Sequence, residues 1–300
     1  MSLSLAPSSV QGASTVAPKR VGLIAGWGNF PFSVAHELRS QGCKIYGLGI
    51  RDHADPKLAD LCDVWGWSGL ATLGRSIRFF RKHGVHDATM AGKIFKVRLF
   101  QRGAWLHHLP DWRALRVFWP HFVSSKQDRK DDTLLLAIVR AFAEDGVTLA
   151  PATDYAPELL VKPGTLTKRG PTPGQLRDIA FGWTLAKEMG RLDVGQSVVV
   201  KDRAALAVEA IEGTDECIRR AGKLCTSGGM TVVKTAKPQQ DMRFDVPTIG
   251  VGTLQTMLDV GAKVLAVESE KTILVDQPAF IEFADKHGLV VVALDGPPSV

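Results

Sequence analysis

The stretch KRVGLIAGWGNFP, residues 19–31, decides the fold that this sequence predicts. A short apolar run ends at Gly26, and a glycine-rich turn then precedes residues 32–41, whose pattern predicts a helix. A strand that ends in such a turn before a helix is the usual opening of a Rossmann-like βαβ unit. We therefore expect the folded part of the chain to begin with a parallel α/β sheet.

The segments that follow repeat this alternation of strand and helix. Residues 70–83 predict a helix that ends at Gly84, because glycine readily adopts the conformation that follows a last helical turn. The segments with strand patterns are residues 44–50, 63–67 and 86–90. Such alternation indicates a parallel sheet, and we expect a Rossmann-like N-terminal domain over residues 19–155.

The second half of the chain predicts a distinct α/β domain over residues 175–300. Residues 196–210 alternate as two strands around a KDR turn, which indicates a hairpin, and further helices and strands follow. Residues 156–174 are rich in proline and glycine and are expected to be a linker. Residues 1–18, rich in Ser, Ala and Pro, are expected to be a disordered tail without the features of a signal peptide.

The composition is that of a globular protein. Apolar residues make up 45% and charged residues 23% of the chain. No run approaches the ~18 to 20 consecutive apolar residues that span a bilayer, which argues against a polytopic membrane protein. Four cysteines lie at scattered spacings, and these indicate neither a zinc site nor a disulfide framework. A reduced cytosol is the simplest expectation.

The glycine-rich turn carries only part of the dinucleotide-binding fingerprint. Gly26 and Gly28 supply its first two glycines, but Pro31 stands where the third would be. Backbone amides at a helix N-terminus still suit a diphosphate, so we expect Gly26, Gly28 and Asn29 to face a nucleotide. An NAD(P)-dependent oxidoreductase is an alternative that this turn alone leaves open.

A charge-rich loop, KTAKPQQDMRFDVPTIG, occupies residues 234–250. Two prolines forbid a continuous helix there, so the segment is expected to be a shaped loop that runs into a short strand. Its charged residues are Lys234, Lys237, Asp241, Arg243 and Asp245. A phosphorylated ligand with a divalent metal would satisfy both kinds of charge, since carboxylates bind the metal and cations bind phosphoryl oxygens. The alternative is a salt-bridged surface loop.

Acidic residues also gather where the predicted hairpin runs into a helix. Glu209, Glu212 and Asp215 lie within seven residues, and Thr214 or Asp215 is expected to cap the helix. Like charges repel, so three carboxylates at one junction indicate a bound cation. Simple favourable interaction with the helix dipole is the alternative.

A basic and aromatic segment covers residues 93–130. It holds nine Lys or Arg residues against two acids, and seven of the 22 aromatic residues of the chain. This mixture suits an anionic membrane surface or a ligand with phosphate and acyl chains. The alternatives are an ordinary helical hairpin with a core of aromatic residues, and nucleic acid, for which the chain carries no recognised motif.

Four motifs together resemble one family, the UDP-2,3-diacylglucosamine pyrophosphatases of the LpxI type. They are GLIAGWGNFP (22–31), KDDTLLLAIVRAF (130–142), GRLDVGQSVVVKDRAALAVEAIEGTDECIRR (190–220) and KTAKPQQDMRFDVPTIGVGTL (234–254). The resemblance extends from about residue 20 to the C-terminus. It implies an N-terminal Rossmann-like domain and a C-terminal α/β domain with the active site in the cleft between them. Residues 91–122 depart from the family pattern, because they are longer and more aromatic than expected.

The resemblance also implies a reaction. Members hydrolyse UDP-2,3-diacylglucosamine to lipid X and UMP with the help of Mg²⁺, a step towards lipid A, and Mn²⁺ is an alternative metal. The aspartate that members need for turnover corresponds to Asp245. We expect Asp241 and Arg243 to take part in catalysis, and Asp245, Glu212, Asp215 and Glu209 to be candidate metal ligands. The expected substrate-binding residues are Gly26, Gly28, Asn29, Lys93, Lys234, Lys237, Thr214 and Thr248.

The expected location follows from the lipid substrate. We expect the protein in the cytoplasm, attached peripherally to the anionic inner membrane, and a homodimer is a reasonable expectation for the family. No nucleic-acid partner is expected. A sugar-nucleotide binding protein without catalytic activity is the main alternative, although such a protein would have no use for the acidic group.

Overall fold

The computed structural model describes residues 18–94, 109–123, 131–243 and 246–299. These residues form two α/β domains, each built around its own sheet. The expected division into a Rossmann-like N-terminal domain and a distinct C-terminal α/β domain is confirmed. Within the described ranges, no helix is long and apolar enough to cross a membrane.

The N-terminal domain contains a five-stranded parallel sheet. Its strands, β1 to β5 in chain order, are Arg20–Ala25, Lys44–Ile50, Val64–Ser68, Asp87–Ala91 and Thr148–Ala150. They lie in the order β3-β2-β1-β4-β5 and all pairs are parallel. The sheet therefore grows in one direction through β2 and β3 and in the other through β4 and β5. This reversal between β1 and β4 is a topological switch point, where ligands bind in open α/β sheets.

Helices cover both faces of this sheet. They are α1 (Phe30–Ser40), α2 (Leu73–Lys82), α3 (Trp112–Val123), α4 (Asp131–Glu144) and the short α5 (Ala152–Tyr155). Apolar residues of α1 and α5 pack with Val21 and Leu23 of β1. Those of α2, α3 and α4 form a second cluster around Phe80. Since successive strand residues point to opposite faces, the continuous apolar run of β1 can serve both clusters.

The C-terminal domain contains a six-stranded mixed sheet. Its strands are β6 (Gly164–Thr165), β7 (Ser197–Lys201), β8 (Ala204–Val208), β9 (Thr231–Lys234), β11 (Val264–Glu268) and β13 (Val290–Leu294). The order is β6-β13-β11-β9-β7-β8, with β9, β11 and β13 parallel and the others antiparallel to their neighbours. A separate parallel pair joins β10 (Thr248–Ile249) to β12 (Ile273–Leu274). The parallel strands bring their carboxyl ends to one edge, next to the start of β7.

Four helices of the described chain flank this sheet. They are α6 (Pro173–Arg191), α7 (Thr214–Leu224), α8 (Val251–Asp259) and α9 (Gln277–Lys286). Ile179 and Trp183 of α6 pack on one face, and the other three helices share a core around Phe280 on the other face. Gly182 lets α6 lie close to the sheet, because a Cβ at that position would be only 2.8 Å from Val233 Cγ2. Thr172 and Gln175 form a capping box at the start of α6.

The chain passes from one domain core to the other between Leu159 and Val161. Leu159 packs with the N-terminal cluster, whereas Val161 is fully buried in the C-terminal core. Val161 donates to Thr272 O at 2.9 Å and accepts from Glu270 N at 2.8 Å. Residues 156–174, expected to be a linker, thus include β6 and its pairing with the edge of β13.

Candidate active site

Lys234, Thr214 and Glu209 meet at the edge of the C-terminal sheet where β9 ends. Lys234 Nζ donates to Thr214 Oγ1 at 2.9 Å, and Thr214 Oγ1 donates to Glu209 Oε1 at 3.0 Å. Ser197 Oγ lies 3.2 Å from Thr214 Oγ1. The single hydroxyl proton of Thr214 is already directed to Glu209, so Ser197 is the donor in this contact. Three residues that the sequence singled out are therefore in direct contact.

The strand pairing explains why these residues meet. In the antiparallel pair of β7 and β9, Ser197 lies opposite Lys234. The Glu209 amide, directly after β8, donates to Ser197 O at 2.9 Å. Thr214 is the first residue of α7, whose N-cap is Gly213 without a side-chain cap. The expected cap by Thr214 or Asp215 is wrong: the Thr214 hydroxyl is bonded to Glu209, and the Asp215 carboxylate accepts from Thr253.

The same edge holds polar atoms that are buried and have no hydrogen-bond partner. Among the described residues these atoms include Glu209 Oε2, Gln196 Oε1 and Thr235 Oγ1. Glu209 is 7% exposed, and leaving a buried polar atom without a partner costs about 1–3 kcal/mol. This edge of the sheet therefore contains buried polar groups whose hydrogen-bonding capacity is not used within the described residues.

The other two acids of the junction have partners of their own. Glu212 forms an ion pair with Arg220 and accepts from Ala210 N, and its pKa is lowered by its backbone amide and by Arg220. Asp215 accepts a hydrogen bond from Thr253 Oγ1 at 3.0 Å. Within the described parts of the chain, no group of three or more His, Cys, Asp or Glu residues could hold a metal ion. The described structure thus does not bring Glu209, Glu212 and Asp215 together as one cluster.

The charge-rich loop follows β9 and is held by ion pairs. Lys237 Nζ contacts Asp193 Oδ1 at 2.8 Å. Arg243 Nε donates to both carboxylate oxygens of Asp241, and the guanidinium lowers the pKa of that carboxyl. The expected catalytic residue Asp245 lies outside the described residues. The alternative of a salt-bridged loop therefore describes part of this segment correctly.

Thr248 and the start of β10 close the loop. The Thr248 hydroxyl donates to Val246 O at 2.9 Å, a local contact that turns the chain into the strand. The side chain is partly buried. Its expected role in binding substrate stays a prediction.

Sequence reasoning missed Glu268 and Lys187, which sit beneath the loop. Glu268 ends β11 and is 3% exposed. Its carboxylate accepts from Lys187 Nζ at 2.6 Å, Lys271 Nζ at 2.9 Å and Ala236 N at 2.8 Å. Burial raises its pKa, but the hydrogen bonds from Lys187 and Lys271 lower it by more, so the carboxyl titrates below its usual range. An acid at the carboxyl end of a buried parallel strand was the available signal.

The N-terminal candidates lie together at the switch point of the parallel sheet. Gly26 N donates to Ala91 O at 2.8 Å, and Trp27 and Lys93 exchange two backbone bonds of 2.9 Å. A Cβ at Gly26 would be 2.8 Å from Lys93 O, so glycine is needed there for the backbones to meet. Gly28 has a φ of 104°, and Asn29 is the N-cap of α1 without a side-chain cap bond. The structure thus places all four expected residues at one edge of the sheet.

Together, the two sheets and the polar residues grouped at one edge of each define a two-domain α/β protein. Comparison with known proteins names the family. The LpxI N-terminal domain matches residues 20–159 and the LpxI C-terminal domain matches residues 162–292. A relative from Caulobacter vibrioides, "UDP-2,3-diacylglucosamine pyrophosphatase LpxI", is 32% identical over 286 residues, which cover 92% of this chain and 98% of that protein. The chain belongs to the LpxI family, and the resemblance carried by the four motifs is confirmed.

Proposed function

We propose that this protein hydrolyses the diphosphate of UDP-2,3-diacylglucosamine to lipid X and UMP, in lipid A biosynthesis. The observation that carries the proposal is the relative from Caulobacter vibrioides, whose similarity extends over 92% of this chain and both of its domains. The buried Lys234 at the edge of the C-terminal sheet, together with Lys237 and Arg243 of the charge-rich loop, supplies positive charges that such a substrate needs.

The chemistry assigns roles to these charges. A phosphoanhydride resists hydrolysis because its anionic oxygens repel an incoming nucleophile, so catalysis requires fixed positive charge and an oriented water. Lys234, Lys237 and Arg243 neutralise the diphosphate in our proposal. Asp241 orients the guanidinium of Arg243, as their paired contacts support. Asp245, in the same loop, positions the attacking water.

We further propose that the reaction uses Mg²⁺, or Mn²⁺ in its place. Magnesium takes one or two carboxylates and keeps several waters, so a cluster of three acids is not required. Glu209 fits best among the described acids, because one of its oxygens has no protein partner. Asp245 is the second candidate, whereas Glu212 and Asp215 would first have to leave Arg220 and Thr253. A bound metal would neutralise phosphoryl oxygens in the transition state.

The N-terminal domain would hold the nucleoside end of the substrate. Gly26, Gly28, Asn29 and Lys93 lie at the switch point, the usual place for a nucleotide in an open α/β sheet. If the switch-point residues and the residues at the edge of the C-terminal sheet bind one substrate molecule, the active site lies in the cleft between the domains, as expected from the sequence. A hydride-transfer cofactor has less support, since Pro31 stands where the dinucleotide-binding fingerprint has its third glycine.

The direct test is UMP release from UDP-2,3-diacylglucosamine in detergent, with Mg²⁺ and with a chelator. We expect release that depends on the metal, and loss of release in Asp245→Ala with substrate binding largely retained. The matched control is Asp259→Ala, which removes an exposed carboxylate elsewhere in the C-terminal domain. Substrate binding by the wild type without UMP release would instead establish a sugar-nucleotide binding protein.

The lipid substrate leads us to propose peripheral attachment to the cytoplasmic face of the inner membrane. Helix α3 presents an outward stripe of apolar residues at helical spacing: Trp112, Leu115 and Trp119 are 83%, 41% and 64% exposed. Arg116 shares this face, and Arg75 and Arg78 are exposed on the neighbouring α2. Indoles beside arginines suit the interface of an anionic bilayer. A second copy would bring like charges together, which disfavours a homodimer through this face.

Vesicle flotation tests the attachment. We expect binding to vesicles that contain phosphatidylglycerol, weaker binding at high salt, and a drop of about tenfold in Trp112→Ser/Trp119→Ser. Ile211→Ser/Leu224→Ser is the control, because both residues are exposed but lie in the other domain. Equal binding by the two variants, or a dimer in the wild type that the indole variant dissociates, would contradict the proposal.

A further inference from the structure

The first part of the charge-rich loop is held by an ion pair between the partly buried Lys187 of α6 and the buried Glu268 of β11. Ala236, two residues after β9, is bonded at both its backbone groups. Its N–H donates to Glu268 Oε2 at 2.8 Å, and its carbonyl accepts from Lys187 Nζ at 3.0 Å. Lys187 and Glu268 also bond to each other at 2.6 Å. One helix, one strand and the loop are thus joined at a single point.

The sheet register places this pair beside the loop. Lys234, the last residue of β9, lies opposite Val267, so Glu268 extends one residue further along β11 and reaches the loop backbone. The C-terminal part of α6 follows the loop in the same direction. A Cβ at Gly190 would be 3.2 Å from Lys237 Cα, and Asp193 just beyond α6 pairs with Lys237.

A pair of this kind is not explained by stability alone. Removing two charges from water costs several kcal/mol, and buried ion pairs often stabilise a fold no more than apolar residues would. Glu268 is 3% exposed and the Lys187 side chain is 27% exposed. The carboxylate stays ionised because three donors surround it. Its effect beyond stability is to fix both backbone groups of Ala236 in the first part of the loop.

We propose that Lys187 and Glu268 are positioning residues, which set the direction of the loop that carries Asp241 and Arg243. The inference rests on the proposed function, because it assigns the loop to catalysis. Neither residue needs to contact substrate: the pair fixes Ala236, and the short loop transmits that position to the groups further along. Displacing a reacting group by about 1 Å costs on the order of a hundredfold in rate.

Lys271 provides a matched control. The Lys271 ammonium binds the other oxygen of the Glu268 carboxylate at 2.9 Å. Lys271 lies only three residues after Glu268, and this bond does not involve the loop. Both Lys187→Met and Lys271→Met remove one charge partner of Glu268. Only Lys187→Met removes a hydrogen bond to the loop backbone. A role limited to neutralising the Glu268 carboxylate predicts similar effects for the two variants.

The first experiment measures kcat and KM for UMP release by the full chain. We expect Lys187→Met to lower kcat at least about tenfold with KM changed less than about threefold, and Lys187→Arg to recover most of the loss. Lys271→Met should leave both constants within about twofold. Equal losses in Lys187→Met and Lys271→Met, or an unchanged kcat in Lys187→Met, would overturn the proposal.

The second experiment follows amide hydrogen exchange, which needs no turnover. Exchange in residues 236–243 should be faster in Lys187→Met than in the wild type and unchanged in Lys271→Met. Equal exchange in all three proteins would overturn the anchoring of the loop. A wild type that binds substrate but releases no UMP would instead overturn the proposed function, and the exchange comparison would still decide whether the pair fixes the loop.

Discussion

Thr214 shows how one hydroxyl organises two buried charges. It accepts from Lys234 and donates to Glu209, so it separates an ammonium and a carboxylate that are both more than nine-tenths buried. A residue of the same shape without the hydroxyl would remove a partner from each charge. The position therefore constrains side-chain chemistry more than side-chain volume.

Thr214→Val should lower the free energy of unfolding by about 1–3 kcal/mol, because the Lys234 ammonium and the Glu209 carboxylate each lose a hydrogen bond. Thr214→Ser keeps the hydroxyl and should stay within about 1 kcal/mol of the wild type. Denaturant unfolding of the three proteins measures both values. A Val variant as stable as the Ser variant would show that the hydroxyl bonds contribute little.

Glu268 gives a pH dependence whose sign follows from its lowered pKa. A carboxyl with a lower pKa in the folded state stabilises the fold above its unfolded pKa, and the contribution is lost as the pH falls through the folded value. The stability difference between wild type and Glu268→Gln should therefore be constant near neutral pH. It should shrink below the ordinary glutamate pKa of 4.5.

Denaturant unfolding of the two proteins across this pH range measures the difference. Other carboxyl groups titrate in both proteins, so their contributions largely cancel in the comparison. A difference that grows as the pH falls would show that Glu268 is not stabilised in its ionised form.

At the residue scale, the sequence singled out residues that lie close along the chain or in one motif, but it did not predict the contacts between them. Glu209 and Thr214 are five residues apart, and a hairpin followed by a helix brings them together. Lys187 and Glu268 are separated by 81 residues and lie on different elements. No periodicity in the sequence links a lysine in a helix to the end of a particular strand. This pair could be found only once the order of the strands in the sheet was known.

Among the elements, α6 depends on how it begins. Thr172 Oγ1 accepts from Gln175 N at 3.3 Å, and the Gln175 side chain accepts from Thr172 N at 2.8 Å. These two bonds satisfy amides that the helix leaves without a partner in its first turn. Because α6 carries Lys187 close to the loop, its start also contributes to the position of the site.

Thr172→Ala should lower the free energy of unfolding by about 0.5–2 kcal/mol. Thr184→Ala makes the same chemical change within the same helix, where the hydroxyl only bonds back to Ala180 O, and should be neutral or slightly stabilising. Thermal and denaturant unfolding of both variants provide the comparison. Similar losses in both would indicate that the capping box is not the source of the effect.

The longer helices and strands agree with the sequence patterns, whereas some short strands were not predicted. The predicted helix over residues 70–83 corresponds to Leu73–Lys82, and the expected strand over residues 44–50 is Lys44–Ile50. Two-residue β6 and four-residue β9 are too short to show alternation, and pairing partners define them. Lys234, which was expected in a loop, is therefore found as the last residue of a strand that the pattern did not reveal.

At the scale of the whole molecule, two separate cores predict two separable unfolding events. Phe80 and Phe280 are both fully buried, the first in the N-terminal cluster and the second in the C-terminal one. Each substitution to Ala should cost its own domain about 3–5 kcal/mol. Calorimetry should show a lower melting transition for one domain in each variant. A single transition that moves equally in both variants would show that the domains unfold as one unit.

The junction between the domains has a consequence for self-association. Thr165 and Gly164 pair with Val292 and Ala293, so the first residues after the junction cover the outer side of β13. A bare edge strand presents backbone groups to strands of other molecules, which leads to aggregation. A C-terminal fragment that begins at residue 175 would lose this cover and stack edge to edge, whereas one that begins at residue 160 would keep it. The segment that joins the two domains thus also protects one edge of the C-terminal sheet from pairing with another molecule.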